Sequence, residues 1–191
     1  MNPYHYTVFQ QSSGYQAIAK ARGKYIKGII VARNDSQGIQ SLTELNNSTL
    51  AFPSPAAFAA SILTRSHLAG LELNFTPKYV SSHDSVYRAV AKGLYPAGGG
   101  IMRTFNNVSP EIRQQLRVIW TSNGYTPHAI AYHPRVKPEV ILKIQQALLA
   151  LEQSEQGKAV LSGIKIQGFE AAKDSDWNDI RTLNLEQLKD L

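Results

Sequence analysis

The first unbroken apolar run of the chain is Lys27–Arg33 (K-G-I-I-V-A-R). β-Branched residues bounded by Gly28 and Asn34-Asp35 predict a buried strand. Ile39–Leu45 predicts a short polar helical turn, and Thr49–Phe52 a second strand. Over Pro55–Ala69 the period lengthens. Phe58, Ile62, Arg65 and Ala69 share one side, Leu63 and Leu68 widen it, and Gly70 stands at the C′ position. Asn74–Val80 predicts a third strand. Asp84–Lys92 predicts a helix, with Val86 and Val90 one turn apart and Gly93 at its end. Ala97–Met102 predicts a glycine-rich strand, and Leu116–Thr121 and Ala129–Tyr132 two more.

The texture then turns helical. Pro138–Glu152 carries Val140, Ile141, Ile144, Ala147, Leu148 and Leu151 on its apolar side, with Pro138 in the first turn, where a missing N–H costs little. Glu155–Leu161 predicts another helix. Ser175–Leu191 predicts a last one, capped by Asp174 or Ser175. The opening M-N-P-Y-H-Y-T-V-F predicts a turn leading into a helix or strand. Alternating strand and helix through the middle predicts a parallel sheet covered on both faces.

Composition narrows this to an α/β globule of one or two small domains: 191 residues, 43% hydrophobic and 18% charged. No run approaches the ~18 apolar residues of a membrane span. There is no cysteine, which excludes disulfides and thiolate metal sites. The N-terminus has neither the basic nor the apolar region of a signal peptide. Charge is uneven. Lys20, Arg22, Lys24, Lys27 and Arg33 fall within the first 34 residues, which hold no Asp or Glu. That segment is a solvated basic face, a nucleic-acid surface, or one side of a contact with an acidic partner outside the chain. No zinc-finger spacing, RNP motif or heptad repeat supports nucleic acid, so none is expected as a partner.

Two stretches carry candidate chemistry. In Ser54-Pro55-Ala56-Ala57, Ser54 is placed to cap a helix and Pro55 to occupy its first position. The amides of Ala56, Ala57 and Phe58 would then be open to an anion, and small side chains allow its approach. The bland alternative is an ordinary cap satisfied by Ser54. Ser81-Ser82-His83-Asp84 repeats the pattern, strand then hydroxyl pair then helix, with His83 as a donor or as a bystander to a Ser82 cap. Both turns follow strands, and ligands of open α/β sheets bind beyond the carboxyl ends of strands. Tyr4 and Tyr6 flank His5 and either wall a pocket or pack. Gly98-Gly99-Gly100 lacks the Lys-Ser/Thr of a P-loop. His128 and His133 point opposite ways in a strand and make a poor metal pair. With no nucleophile–base pair, no metal set and no cofactor motif, no enzyme is expected.

Several stretches in order resemble a known family. They are N-P-Y-H-Y; G-I-I-V-A-R-N-D-S; S-L-T-E-L-N-N-S-T-L-A-F-P-S-P; S-S-H-D-S-V-Y-R-A-V-A-K-G; L-R-V-I-W-T-S; and P-E-V-I-L-K-I-Q-Q-A-L-L-A-L-E with D-S-D-W. Together they resemble the C-terminal two-thirds of the periplasmic substrate-binding proteins of phosphonate, phosphite and phosphate ABC transporters, the PhnD-like family. The resemblance implies an α/β, type II periplasmic-binding fold of two lobes with mainly parallel sheets. Residues 36–122 would form a complete inserted lobe. Residues 1–35 and 123–191 would form a partial first lobe, incomplete at its N-terminus and open to pairing as a homo-oligomer.

It further implies a periplasmic, non-catalytic protein without cofactors. That protein binds a small oxyanion between its lobes and docks on a permease or, in the alternative, serves a membrane sensor with a different small ligand. The ligand-binding positions implied are Tyr6, Ser54, Ala56, Ala57, Phe58, Ser82 and His83. Two departures stand out. Ala57-Phe58-Ala59 replaces the family's hydroxyl cluster, and Pro96 stands where relatives often carry Asp.

Overall fold

The computed structural model describes residues 1–35, 39–183 and 185. Its contacts separate into two units. One comprises Met1–Ile26 and Tyr125–Leu183, the other Lys27–Gly124. The first stretch contributes helix α1 (Pro3–Ser13) and strand β1 (Gln16–Ala21). The second unit runs through β2 (Ile29–Arg33), β3 (Ser48–Phe52), α2 (Thr64–Gly70), β4 (Phe75–Tyr79), α3 (His83–Ala91), β5 (Ala97–Gly100), α4 (Met102–Asn107), α5 (Pro110–Arg113) and β6 (Leu116–Thr121). The chain then returns through β7 (Ile130–Tyr132), α6 (Pro138–Ala150), α7 (Glu155–Gly163), β8 (Phe169–Ala171) and α8 (Asn178–Arg181).

The Lys27–Gly124 unit is a five-stranded sheet of order β4-β3-β5-β2-β6. β3 is parallel to β4 and β5, whereas β2 is antiparallel to both β5 and β6. The other unit holds a three-stranded sheet, β7-β1-β8, in which both pairings are antiparallel. The expectation of mainly parallel sheets is therefore corrected to one mixed sheet and one antiparallel sheet. The cause is chain path. β2 lies just after the chain passes into the second unit and β6 just before it leaves, so the two run in opposite senses.

Side-chain alternation along β2 divides the core. Ile29 and Val31 pack with Val86, Tyr87, Val90, Phe105 and Leu116 under α3 and α4. Ile30 and Ala32 pack with Leu45, Leu50, Phe52 and Leu68 on the opposite face. The glycine run at β5 makes this sandwich thin. A Cβ at Gly98 or Gly100 would overlap Val86 or Tyr87 of α3. At Gly99 it would overlap the Ala60 carbonyl on the other face. Glycine lets backbone approach backbone where any side chain would intervene.

In the Met1–Ile26/Tyr125–Leu183 unit, D-S-D-W is the knot. Trp177 is fully buried, packs on the Tyr6 ring at 4.6 Å and donates its indole N–H to the Pro127 carbonyl at 2.9 Å. Asp176 accepts from Lys20 Nζ at 2.7 Å, and Arg22 pairs with Glu152 (Nη1–Oε1 2.8 Å). Two of the basic residues near the N-terminus thus meet carboxylates of the same chain, and a third, Arg33, pairs with Asp35. Lys24 and Lys27 are exposed.

Other differences are local. The Ser175–Leu191 helix reduces, among the described residues, to a 3₁₀ turn at Asp174–Trp177 and the four residues of α8. Asn184 and Glu186–Leu191 lie outside the described residues, as does Ser36, the expected first residue of the inserted lobe. In α6 Ile141 is buried, whereas Val140 and Ile144 are exposed. The β1–β8 sheet covers only one side of the apolar stripe, with Gln145 Nε2 donating to the Ile18 carbonyl at 2.8 Å.

Two outcomes follow from this packing. Gly99→Ala is expected to lose about 1–3 kcal/mol in urea denaturation, the usual cost of overpacking. For Asp176, burial pulls its pKa up, but Lys20 and the Lys173 amide outweigh it and hold the carboxyl below its ordinary value. Its stabilisation is present above the unfolded pKa and is lost as pH falls through the lower folded one. Asp176→Asn is expected to be less stable than the parent at pH 7 by about 1.5–3 kcal/mol. The two denaturation curves should converge below about pH 4.

Candidate functional site

Parallel strands end at the same edge of a sheet. β3, β4 and β5 are parallel, with Phe52 paired to Tyr79, and pairing continues one step as the Val80 amide donates to the Phe52 carbonyl at 2.9 Å. Three strand-to-helix turns therefore leave one edge: Pro53–Ala57 after β3, Val80–Ser82 after β4, and Ile101 after β5. The sequence-predicted turns at Ser54 and His83 are neighbours on it.

The first turn differs in detail from its expectation. The Ala57 amide donates to the Ser54 carbonyl at 3.3 Å, closing a turn over Pro55-Ala56. The helix then begins at Phe58, three residues late, because Ala57 after the turn has an extended ψ of 98°. Its first six residues, Phe58–Leu63, are π-helical, and Ala57 caps them without a side-chain bond. The Ser61 and Ile62 amides share the Ala57 carbonyl at 2.8 and 3.2 Å. The amides of Ala59 and Ala60 precede the first intrahelical donor. Both residues are buried, and no side chain caps them among the described residues. The open donors thus lie further along than Ala56 and Ala57. π-Bulges of this kind occur frequently at functional sites.

In the second turn Ser81 takes a left-handed φ of 73°, and the Ser82 amide donates back to Val80 at 3.0 Å. A non-glycine residue held there is strained, and such strain clusters at ligand clamps. Ser82 caps α3: its hydroxyl accepts from the Ser85 amide at 3.0 Å and lies 2.9 Å from Ser85 Oγ. His83 opens the helix, half-buried. Burial alone lowers its pKa, so the imidazole is neutral at pH 7. Its Nδ1 is buried and has no hydrogen-bond partner among the described residues. A buried polar atom left unpaired costs free energy unless something occupies it. The adjacent Asp84 pairs with Arg88 at 2.6 Å.

Tyr6 is not part of this edge. It belongs to the other unit and has no accessible surface. Its hydroxyl donates to Asp174 Oδ1 at 3.0 Å and accepts from the Ala17 amide at 3.2 Å. Burial pushes the phenol up to about 12, with the Ala17 bond opposing. It presents no face to a ligand.

The edge offers backbone donors, a neutral imidazole and hydroxyls, with no lysine or arginine in either turn. That set suits recognition of an anion by hydrogen bonds. Among the described residues, no group of three or more His, Cys, Asp or Glu is placed to hold a metal.

Residues 1–177 match the family described as ABC transporter, phosphonate, periplasmic substrate-binding protein. The chain belongs to this family. It is a solute-binding component of the phosphonate ABC-transporter type, the class that binds oxyanions. Solved structures share its fold. XAC2383 of Xanthomonas citri, solved bound to chloride, is 15% identical with a TM-score of 0.84, over 98% of this chain and 75% of that one. PhnD1 of Prochlorococcus marinus, in complex with methylphosphonate, is 16% identical with a TM-score of 0.80, over 98% and 77%. A binding-protein component of a phosphonate ABC transporter from Pseudomonas aeruginosa is 19% identical with a TM-score of 0.75, over 91% and 63%. The architecture is thus the two-lobed α/β fold of periplasmic binding proteins, and the chain spans 63–77% of the length of these three. Among curated proteins none matches the sequence.

Proposed function

We propose that this chain is a non-catalytic receptor for a small oxyanion, phosphate or a phosphonate, held at the edge where β3, β4 and β5 end. The observation that carries the reading is the buried Nδ1 of His83, which has no hydrogen-bond partner among the described residues, on the same sheet edge as the turn that leads to the Ala59 and Ala60 amides. In this reading Ser54 and the backbone of Ala56, Ala57 and Phe58 border the anion, and the Ala59 and Ala60 amides donate to it. His83 donates from the neighbouring helix, held in place by the Ser82 cap. Tyr6 supports the framework. The Lys27–Gly124 unit, which takes in β2 ahead of the expected residues 36–122, acts as the inserted lobe, and Met1–Ile26 with Tyr125–Leu183 as the other. Closure on the anion presents both to a permease in the periplasm. PhnD1, solved with methylphosphonate, lends this the ligand class.

Ala57-Phe58-Ala59 supports a second use of the same fold. Each hydroxyl donor lost from a desolvated site costs about 1–3 kcal/mol. A site so depleted suits a less charged ligand, as in a sensory domain.

A melting-temperature screen separates these. Phosphate or methylphosphonate at about 100 times its Kd should stabilise the chain by about 2.7 kcal/mol, and His83→Ala should cut that gain. No shift with either anion contradicts the oxyanion reading; a shift with an uncharged ligand instead supports the sensory one.

A further inference from the structure

The third turn of the edge is closed by one buried side chain. Tyr87 lies one helical turn after His83 in α3 and has no accessible surface. Its hydroxyl accepts from the Ile101 amide at 3.1 Å, and lies 3.0 Å from the Ile101 carbonyl and 2.8 Å from Thr104 Oγ1. Ile101 is the N-cap of α4 and has no polar side chain of its own to offer. From α3, Tyr87 thus engages the amide of the cap residue itself rather than those of the first helical turn, and its ring packs edge-on against Phe105 of α4 at 5.6 Å. The slot exists because residue 100 is glycine: a Cβ there would overlap the hydroxyl.

We propose that Tyr87 is the positioning residue of the oxyanion edge: its hydroxyl ties α3, and His83 at its start, to the β5–α4 turn. The role in binding rests on the function proposed above; the placement of His83 does not. Because Tyr87 already engages the Ile101 amide, the donors left for a ligand come from the first two turns. An aromatic ring anywhere in the core would stabilise the fold, but a hydroxyl in this place fixes where His83 stands. The charged groups near His83 on its own helix, Asp84 and Arg88, pair with each other, and burial is the one cause of its lowered pKa.

The test is Tyr87→Phe in the full chain, which keeps the ring and removes the hydroxyl. In ligand-free protein, the NMR titration midpoint of His83 should rise toward the ordinary 6.5. The Kd for methylphosphonate should weaken about three- to tenfold, the worth of one hydrogen bond. Gly100→Ala, which displaces the hydroxyl and leaves Tyr87 in the sequence, should reproduce both effects, and it carries the test if Tyr87→Phe does not fold. A lowered melting temperature with an unmoved His83 midpoint overturns the proposal and makes Tyr87 a packing residue. A parent chain that binds neither methylphosphonate nor phosphate overturns the functional reading instead, and the His83 midpoint still decides the placement.

Discussion

The absence of side chains on β5 is the constraint from which the rest follows. Gly98 and Gly100 let α3 settle directly on one face of the strand, and Gly99 lets the π-helical turn at Phe58–Leu63 settle on the other. Two helix starts, and the strand between them, are thereby drawn to one sheet edge. A Cβ at any of the three positions would push a helix away from the strand. What resembles a loose, permissive segment in sequence is the tightest layer of the Lys27–Gly124 unit.

That thin layer has a chemical consequence. Backbone donors are useful to an anion only where side chains do not shield them, and here small residues continue past the glycines into the π-helical turn as Ala59 and Ala60. Neutral partners complete the set. His83 is uncharged because it is buried, and Ser82 is engaged in capping the helix that carries it. Recognition of this kind depends on geometry more than on charge, which is why the Tyr87 hydroxyl at the third turn matters through the placement of His83.

Much of this was legible in the chain, and the limits have physical reasons. Strands rich in β-branched residues, such as Ile29–Arg33 and Leu116–Thr121, announced themselves. β1 did not, because half of Gln16–Ala21 is alanine and its pairing comes from β7 and β8, more than a hundred residues away. Helix and strand alternation suggested parallel sheets, but alternation cannot encode the sense in which a chain enters and leaves a unit. The turn at Ser54 was visible as an anion-binding candidate, whereas its register was not: the Ser54 carbonyl, not its hydroxyl, closes the turn and delays the helix to Phe58. Tyr6 carried the right chemistry for a ligand wall, yet Asp174, Ala17 and Trp177 claim it for the core. Basic residues without local acids found them in Glu152 and Asp176, a pairing no window of sequence reveals.

The most direct measurement is an amide ¹H–¹⁵N titration of the intact chain with methylphosphonate. The account predicts that the largest shifts fall on Ala59, Ala60, Ser82 and His83, together at one sheet edge. Saturable shifts confined to other parts of the chain, with these four unmoved, would contradict it.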